Sequence, residues 1–496
     1  MTADRPTAHH VDVALRPDPA RVIARLFLPG EELPGGSSRA GAVVARVLAL
    51  SGPEVAEIAE RLLDDFSDRH RDFAAILTEH AMRVDSHVQQ TPPMTLARKL
   101  VMGASFTAEF ALEGAALCNP SAVMHPDQDD LEPGAVRVAV SLRGIGEGHL
   151  SSLGFCAAVI GADATWRFEQ RVFPAVAGVA TMAHWHTDHL RAVLTDDGRV
   201  DGLAHSVLDR LPSSFTGLDL EYVLATAHQD LLSRVSGPAT ADLLRRIVAS
   251  AYEVAFPDDV ELSQQVLFPS TAEESNGIED ARFVRFVAAD GTVDYRATYT
   301  AYDGSAIAPR LLTSPDLRTF RVQRLAGPAA RNKGMALFPR SVGGRQLALC
   351  RTDGESNSIA SSDDGVVWSE PDTIQVPVAP WEVLQVGNCG PPIETGEGWL
   401  VLTHGVGPMR TYAIGAILLD LDDPARVVKR LELPLLEGLP GEQNGYVPNV
   451  VYSCGGVVQA GRLWLPYGIS DARIGVVWVS VDELLAAMTP VGQLID

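Results

Sequence analysis

Ser314-Pro-Asp-Leu-Arg-Thr-Phe320 and Ser362-Asp-Asp-Gly-Val-Val-Trp368 share one pattern: a serine, an aspartate two residues on, and an aromatic four residues after the aspartate. The two copies lie 48 residues apart. That interval suits one four-stranded blade of a β-propeller, and a fixed period of this length takes priority over local readings of single segments. A polar turn followed by a strand aromatic leaves the same trace, so the surrounding texture has to agree.

It does agree. From about Leu112, short segments rich in Val, Leu, Tyr and Phe are separated by Gly, Asp, Asn and Pro, the pattern of strands with tight turns. Val136–Leu142, Phe283–Val287, Arg296–Tyr302, Leu347–Arg351 and Trp399–Thr403 are examples. A helical interlude is expected at about 170–262, where Arg234–Tyr252 spaces Leu and Ile at three and four, with Arg245 and Arg246 on other faces. Strand texture resumes after 270 and runs to Leu465–Tyr467, and Val481–Met488 reads as a closing helix.

The first hundred or so residues read as helical. Ser51-Gly-Pro-Glu54 has capping-box spacing with Pro53 in the first turn. Behind it Val55, Ile58, Leu62, Phe66, Phe73 and Leu77 recur on one helical face. Arg69-His70-Arg71, and Arg21 and Arg25 on the apolar segment Arg21–Phe27, are read as solvated or salt-bridged, with the border of a ligand site as the alternative.

Bulk properties bound the function. With 46% hydrophobic and 21% charged residues, the 496-residue chain can bury full cores in two or three domains. A net charge of −23 repels a phosphate backbone and argues against nucleic acid as a partner, while leaving room for a local cationic pocket. Met1-Thr-Ala-Asp-Arg-Pro6 lacks the basic and apolar regions of a secretory signal, and no apolar run reaches the length of a membrane span. The five scattered cysteines never show CxxC spacing. A reducing, cytoplasmic setting is the expectation.

Three groups of residues invite chemistry. Asn276-Gly-Ile-Glu-Asp-Ala-Arg282 places two carboxylates and an arginine on what reads as a loop feeding a strand. If extended, Glu279 and Asp280 would point in different directions. Lys333, Arg351 and His404 form a cationic set suited to phosphate if the fold brings them together. His184-Trp-His-Thr-Asp-His189 suggests metal, but neither helical nor strand spacing puts three imidazoles on one face, so no metal is expected. Gly144-Ile-Gly-Glu-Gly148 lacks the following helix and Lys-Ser/Thr of a phosphate loop, and no GxSxG elbow occurs.

The ordered short motifs carry a resemblance. They are Asn119-Pro120, Ser141-Leu-Arg143 with Gly146-Glu-Gly-His-Leu-Ser-Ser152, Gly277-Ile-Glu-Asp-Ala-Arg282, Leu337-Phe-Pro339, Gly390-Pro-Pro392 with Gly398-Trp-Leu400 and His404-Gly405, Gly415-Ala-Ile-Leu-Leu-Asp420, Pro448-Asn-Val-Val451 and Tyr467-Gly-Ile-Ser-Asp471. In this order the chain resembles glycoside hydrolase family 130, the β-mannoside phosphorylases and related β-mannosidases, over about 112–490 apart from the helical interlude. The N-terminal helices resemble the extension of longer members.

The resemblance implies a mainly β fold with helical additions: an N-terminal helical domain at 1–110, then a five-bladed β-propeller catalytic domain at 111–496 with a helical insertion at about 170–262. It implies inverting cleavage of β-mannosides, with Asp280 donating its proton through the mannosyl 3-hydroxyl. Asn119, Arg143, Ser151, Glu279, Arg282, Asp353 and Asp471 are the implied substrate-binding residues. Ala281 replaces the proline of the family's Glu-Asp-Pro-Arg motif.

Three readings stay open at this level. Phosphorolysis needs one acid and a cationic cradle, and Lys333, Arg351, His404 and Tyr412 are the implied cradle, with inorganic phosphate as co-substrate and no further cofactor. Lys333-Gly334 stands where many phosphorylases carry Arg-Asn, and Gln385 where they carry a lysine. Hydrolysis by inversion needs a second carboxylate roughly 6.5–9.5 Å from the first to activate water. Glu382, Glu355 and Glu279 are the candidates for it. The third reading is a non-catalytic glycan-binding propeller. The expected partner is a β-linked mannooligosaccharide or mannosyl glycoside, with neither nucleic acid nor membrane, and the helical segments offer surfaces for self-association.

Overall fold

The computed structural model describes residues 6–29, 32–33, 37–87, 93–227, 229–233 and 236–492. Arg234, the first residue of one expected helix, lies outside them. The chain divides into two compact units.

The smaller unit comprises Asp18–Gly114 with Arg171–Ala177. Helices Arg39–Ala49, Gly52–Phe66, Phe73–His87 and Leu96–Ala104 accompany a strand pair, Val22–Leu26 with Thr107–Ala111. Ser51 and Glu54 form the expected capping box, Glu54 Oε2 accepting from Ser51 N at 2.8 Å. Val55, Phe73 and Leu77 are buried in its core. The basic patch is spent on ion pairs: Arg69 donates to Glu109 at 2.8 and 2.9 Å, His70 meets the same carboxylate at 2.8 Å, and Arg21 and Arg171 share Glu113. The sequence led to helix at the very start, whereas His9–Leu15 and Val22–Leu26 are strands.

The larger unit is built from antiparallel meanders, each a set of four strands. The first runs through Ala116–Met124, Val136–Ile145, Ser151–Ile160 and Trp166–Phe168. The second is Gly277–Val287, Val293–Tyr302, Ile307–Ser314 and Thr319–Arg324. The third is Ala336–Leu337, Gln346–Cys350, Asn357–Ser362 and Asp372–Gln375. The fourth is Gln385–Asn388, Gly398–Val406, Tyr412–Leu419 and Val427–Arg430. The fifth joins Val451–Tyr452, Arg462–Ile469 and Arg473–Ser480 to His9–Leu15, so a strand from the start of the chain completes the last set.

Hydrogen bonds lead from each meander to the next. Phe283 N donates to Ser121 Oγ at 3.0 Å, and Thr298 Oγ1 to Met335 O at 2.5 Å. Val386 N donates to Glu355 O at 2.8 Å, Tyr412 N to Asn449 O at 3.0 Å, and Cys454 N back to Pro120 O at 2.8 Å. Apolar cores fill the spaces between neighbours. Val138, Val140 and Trp166 of the first meander meet Trp464 and Val476 of the fifth, and Leu402 and Ile414 of the fourth meet Leu463 and Val477.

The repeated motif is one turn used twice. Ser314 Oγ accepts from Leu317 N at 2.8 Å and Asp316 Oδ1 from Arg318 N and Thr319 N at 2.8 Å. Ser362 Oγ accepts from Gly365 N, and Asp364 Oδ1 from Val366 N and Val367 N, all at 2.9 Å. Phe320 and Trp368 are both buried. Serine and aspartate serve here because their short oxygens replace backbone acceptors in the turn.

The helical interlude is narrower than its expected bounds. Helices Thr187–Asp196, Gly202–Leu208, Gly217–Ala225, Gln229–Leu232 and Gly237–Ala249 bury their own core, and Tyr252–Ala255 already pairs with Thr319–Arg324. Within it His189 meets Arg324 O through Nε2 at 2.7 Å and stacks on Trp185, while His184 and His186 are exposed. Among the described residues no helix is long and apolar enough to cross a membrane.

Candidate active site

Two first strands break their regular pairing where they border one cavity. In Ala116–Met124 the register shifts between Cys118 and Ser121, and in Gly277–Val287 between Glu279 and Arg282. Asn119 and Asp280 sit at these bulges with φ of 49° and 56°. Such left-handed backbone is uncommon outside glycine, but Asn and Asp tolerate it better than most residues, and bulges re-aim side chains. Asn276-Arg282 was expected as a loop with its carboxylates pointing apart. Instead the strand begins at Gly277, and the bulge turns both carboxylates toward Arg143.

The cavity holds about 550 Å³, the size of a small-ligand site. Asn119, Arg143, Asp280, Arg282 and Asp471 line one part of it. Arg143 donates to Glu279 Oε1 at 2.6 Å and to Asp280 Oδ1 at 3.2 Å. Asn119 Nδ2 also donates to Asp280 Oδ1. Arg282 donates to Asp280 O at 2.9 Å and to the Tyr452 hydroxyl at 2.7 Å. Burial works to raise the Asp280 pKa, but the charges of Arg143, Arg282 and Lys333 and the Asn119 bond overcome it, holding the carboxyl below its ordinary range. Asp471 differs: burial pushes it up to about 6 against the pull of Arg143, and its Oδ1 is buried without a hydrogen bond.

Lys333, Arg351, His404 and Tyr412 line the same cavity, so the fold brings the cationic set together. Arg351 Nη1 donates to His404 Nε2 at 3.0 Å, and His404 Nδ1 donates to Asn388 O at 3.1 Å. Burial and the nearby Arg351 and Arg282 guanidinia hold His404 neutral, well below the usual imidazole range. Its ring stacks against Tyr412, with centroids 6.1 Å apart, and meets Tyr452 edge-on at 5.0 Å. Lys333 is not free, because its ammonium pairs with Glu279 Oε2.

Ser151 and Asp353, expected as substrate ligands, and Glu382 and Glu355, expected as candidate bases, stand elsewhere, and Glu279 also lies outside the lining. Ser151 is fully buried, donates to Ile278 O at 2.9 Å, and holds the start of the Asp280 strand instead of lining the cavity. Asp353 accepts from Glu355 N and Ser356 N at 2.9 Å, closing its own turn. Glu382 is buried and accepts from Val378 N and Ala379 N at 3.2 and 3.1 Å, while Glu355 is an exposed turn residue. None of these four lines the cavity. Glu279 is committed to Arg143 and Lys333.

Tyr452, Asn388 and Arg410 line the cavity without having been singled out from the sequence. Tyr452 sits two residues beyond the Pro448-Asn-Val-Val451 motif's Val450 and reads locally as a strand aromatic. Asn388 precedes Gly390-Pro-Pro392, and Arg410 lies on a hairpin turn between two strands of the fourth meander. A single sequence offers no signal that separates such residues from ordinary turn and strand positions.

Comparison with known proteins assigns the family. A family model described as β-1,4-mannooligosaccharide phosphorylase matches residues 258–489. The 1,2-β-oligomannan phosphorylase of Thermoanaerobacter sp. (strain X514) is 35% identical over 230 residues, spanning 45% of this chain and 75% of that protein. The β-1,2-mannobiose phosphorylase of Listeria innocua serovar 6a is 31% identical over 232 residues, 44% of this chain and 62% of its own. A solved structure of the Listeria innocua enzyme with β-1,2-mannobiose aligns with 76% of this chain and 92% of its own, at 21% identity and a TM-score of 0.44. This chain belongs to glycoside hydrolase family 130.

Proposed function

We propose that this protein cleaves β-mannosides by phosphorolysis, releasing mannose 1-phosphate, and that β-1,2-linked oligomannosides are its first substrate class. The linkage follows the relatives named above. The five meanders, each hydrogen-bonded to the next and the fifth to the first, are read as the blades of a five-bladed propeller, with the cavity at its centre. The helical unit and the helical insertion are read as additions to this catalytic domain.

One observation carries the choice of phosphorolysis. Among the described residues the cavity is lined by two carboxylates, Asp280 and Asp471, whereas Arg351, His404 and Tyr412 stand ready for an anion. Glu382 and Glu355 are absent from the lining, and Glu279 is ion-paired. Asp471 shares the electrostatic surroundings of Arg143 and Asp280, with burial raising its pKa. Phosphate arrives as an anion and needs no base to attack.

Asp280 serves through the mannosyl 3-hydroxyl. That hydroxyl gives its proton to the departing glycosidic oxygen and takes one from Asp280, while a phosphate oxygen attacks the anomeric carbon from the opposite face. The bond to the leaving sugar breaks as the bond to phosphate forms, inverting β-mannoside to α-mannose 1-phosphate. In the ligand-free protein Asp280 is ionised because cations surround it. A phosphate dianion in the same cavity offsets those cations and raises the acid toward the protonated form it needs. The reverse reaction is a direct test. Mannose 1-phosphate and mannose should yield a disaccharide and inorganic phosphate, and failure to form any disaccharide would sink the phosphorolytic reading.

A further inference from the structure

Taking the phosphorolytic reading as given, we infer that Arg410 is the second cation of the phosphate site, in the place expected of Lys333. Five cationic side chains line the cavity: Arg143, Arg282, Lys333, Arg351 and Arg410. Arg143 and Lys333 spend their charge on Glu279 and Asp280. Arg282 is fully buried and holds Asp280 O and the Tyr452 hydroxyl. Arg351 and Arg410 have no carboxylate partner among the described residues. Arg351 bonds only to neutral His404, and its Nε is buried without a hydrogen bond. An anion between two guanidinia satisfies both, and arginine's planar fork suits phosphate oxygens.

The backbone holds Arg410 in place for this. Val406 pairs with Tyr412, so Arg410 rides the hairpin that also carries His404 and Tyr412. Met409 and Arg410 are both left-handed, with φ of 58° and 54°. Gly407 N to Thr411 O at 2.9 Å and Tyr412 N to Asn449 O at 3.0 Å lock the turn to the cavity rim. Two successive left-handed residues make the primed turn that joins hairpin strands, so the hairpin itself fixes the backbone at Arg410. Gln385 lines the same cavity as a neutral residue, and Arg410, exposed at the rim, adds a cation to that lining.

The anion bound by this pair is either inorganic phosphate or an acidic group on the leaving sugar, and neutral β-1,2-mannobiose separates the two. With that substrate, Arg410→Ala should raise KM for phosphate at least about tenfold, the scale of lost charge-assisted bonds. KM for mannobiose should stay within about twofold, and Arg410→Lys should recover part of the loss. A phosphate KM unchanged in Arg410→Ala overturns the assignment, as does a rise confined to mannobiose. Calorimetric titration with inorganic phosphate alone keeps the test independent of turnover. Weaker phosphate binding by Arg410→Ala in a protein that fails to phosphorolyse mannobiose would sink the phosphorolytic reading and keep the site. Equal binding by both proteins would remove Arg410 from it.

Discussion

Asn119 Nδ2 donates to Asp280 Oδ1 between two neighbouring meanders, and both residues sit in left-handed backbone at a bulge of their strand. Each bulge re-aims one side chain, and the pair meets where neither strand could reach if regular. The proposed acid is thus positioned by backbone irregularity in two separate segments. Replacing Asn119 with glycine keeps the backbone and deletes the bond. The expected loss in kcat/KM is about tenfold or more, from a hydrogen bond to a charged group worth about 1.5–3 kcal/mol. An unchanged rate would show that Arg143 alone positions Asp280.

Asp280→Asn should lower kcat by about 10²–10⁴-fold, the usual contribution of a positioned acid. Circular dichroism should show the variant folded, since Asn119 and Arg143 can still donate to the amide oxygen. A folded variant with full activity contradicts the role given to Asp280.

Glu355→Gln tests the hydrolytic alternative. Its side chain is exposed and outside the cavity lining, so activity should stay within about twofold. Glu382→Ala should instead cost stability, about 1–2 kcal/mol, because its carboxylate satisfies two backbone N–H groups. Loss of turnover at unchanged melting temperature in either variant would restore a glutamate base.

Asp471 predicts a pH dependence of stability. Its pKa rises on folding to about 6, so the native state binds its proton more tightly than the unfolded chain does. Stability from this group is therefore present at low pH and lost as pH climbs toward and through 6. Asp471→Asn escapes that loss. Its unfolding free energy relative to the parent should rise between pH 4 and pH 8, by about 2–3 kcal/mol. A difference that does not change with pH would show the carboxylate is not destabilised by burial.

Much of the fold was legible because its signals are local. The Ser-x-Asp turns before Phe320 and Trp368 use side-chain oxygens that sequence displays directly, and the capping box at Ser51 is equally self-contained. Lys333, Arg351, His404 and Tyr412 share a cavity, as a phosphate cradle requires. Its pairing was hidden: Lys333 answers Glu279, a residue 54 positions away, and only the folded chain brings them together. Ser151 looked like a sugar ligand, yet it packs under Gly277, where an added Cβ would lie 2.3 Å from its hydroxyl. The bulge at Asp280 was invisible for a different reason, because strand spacing predicts alternation and nothing in Glu279-Asp280-Ala281 announces its interruption.

Gly277 follows from that contact. With φ of 135° and no room for a methyl group, Gly277→Ala should force the strand start off Ser151. The expected result is a fall in melting temperature together with a fall in kcat, since Glu279 and Asp280 follow immediately. A stable, fully active variant would show that this contact does not set the position of the acid.

The central claim is that phosphate, and not water, takes the mannosyl group. Its most direct measurement is product analysis of β-1,2-mannobiose incubated with and without inorganic phosphate. The account predicts α-mannose 1-phosphate and mannose in equal amounts when phosphate is present, and no cleavage when it is absent. Free mannose released at the same rate without phosphate would contradict it.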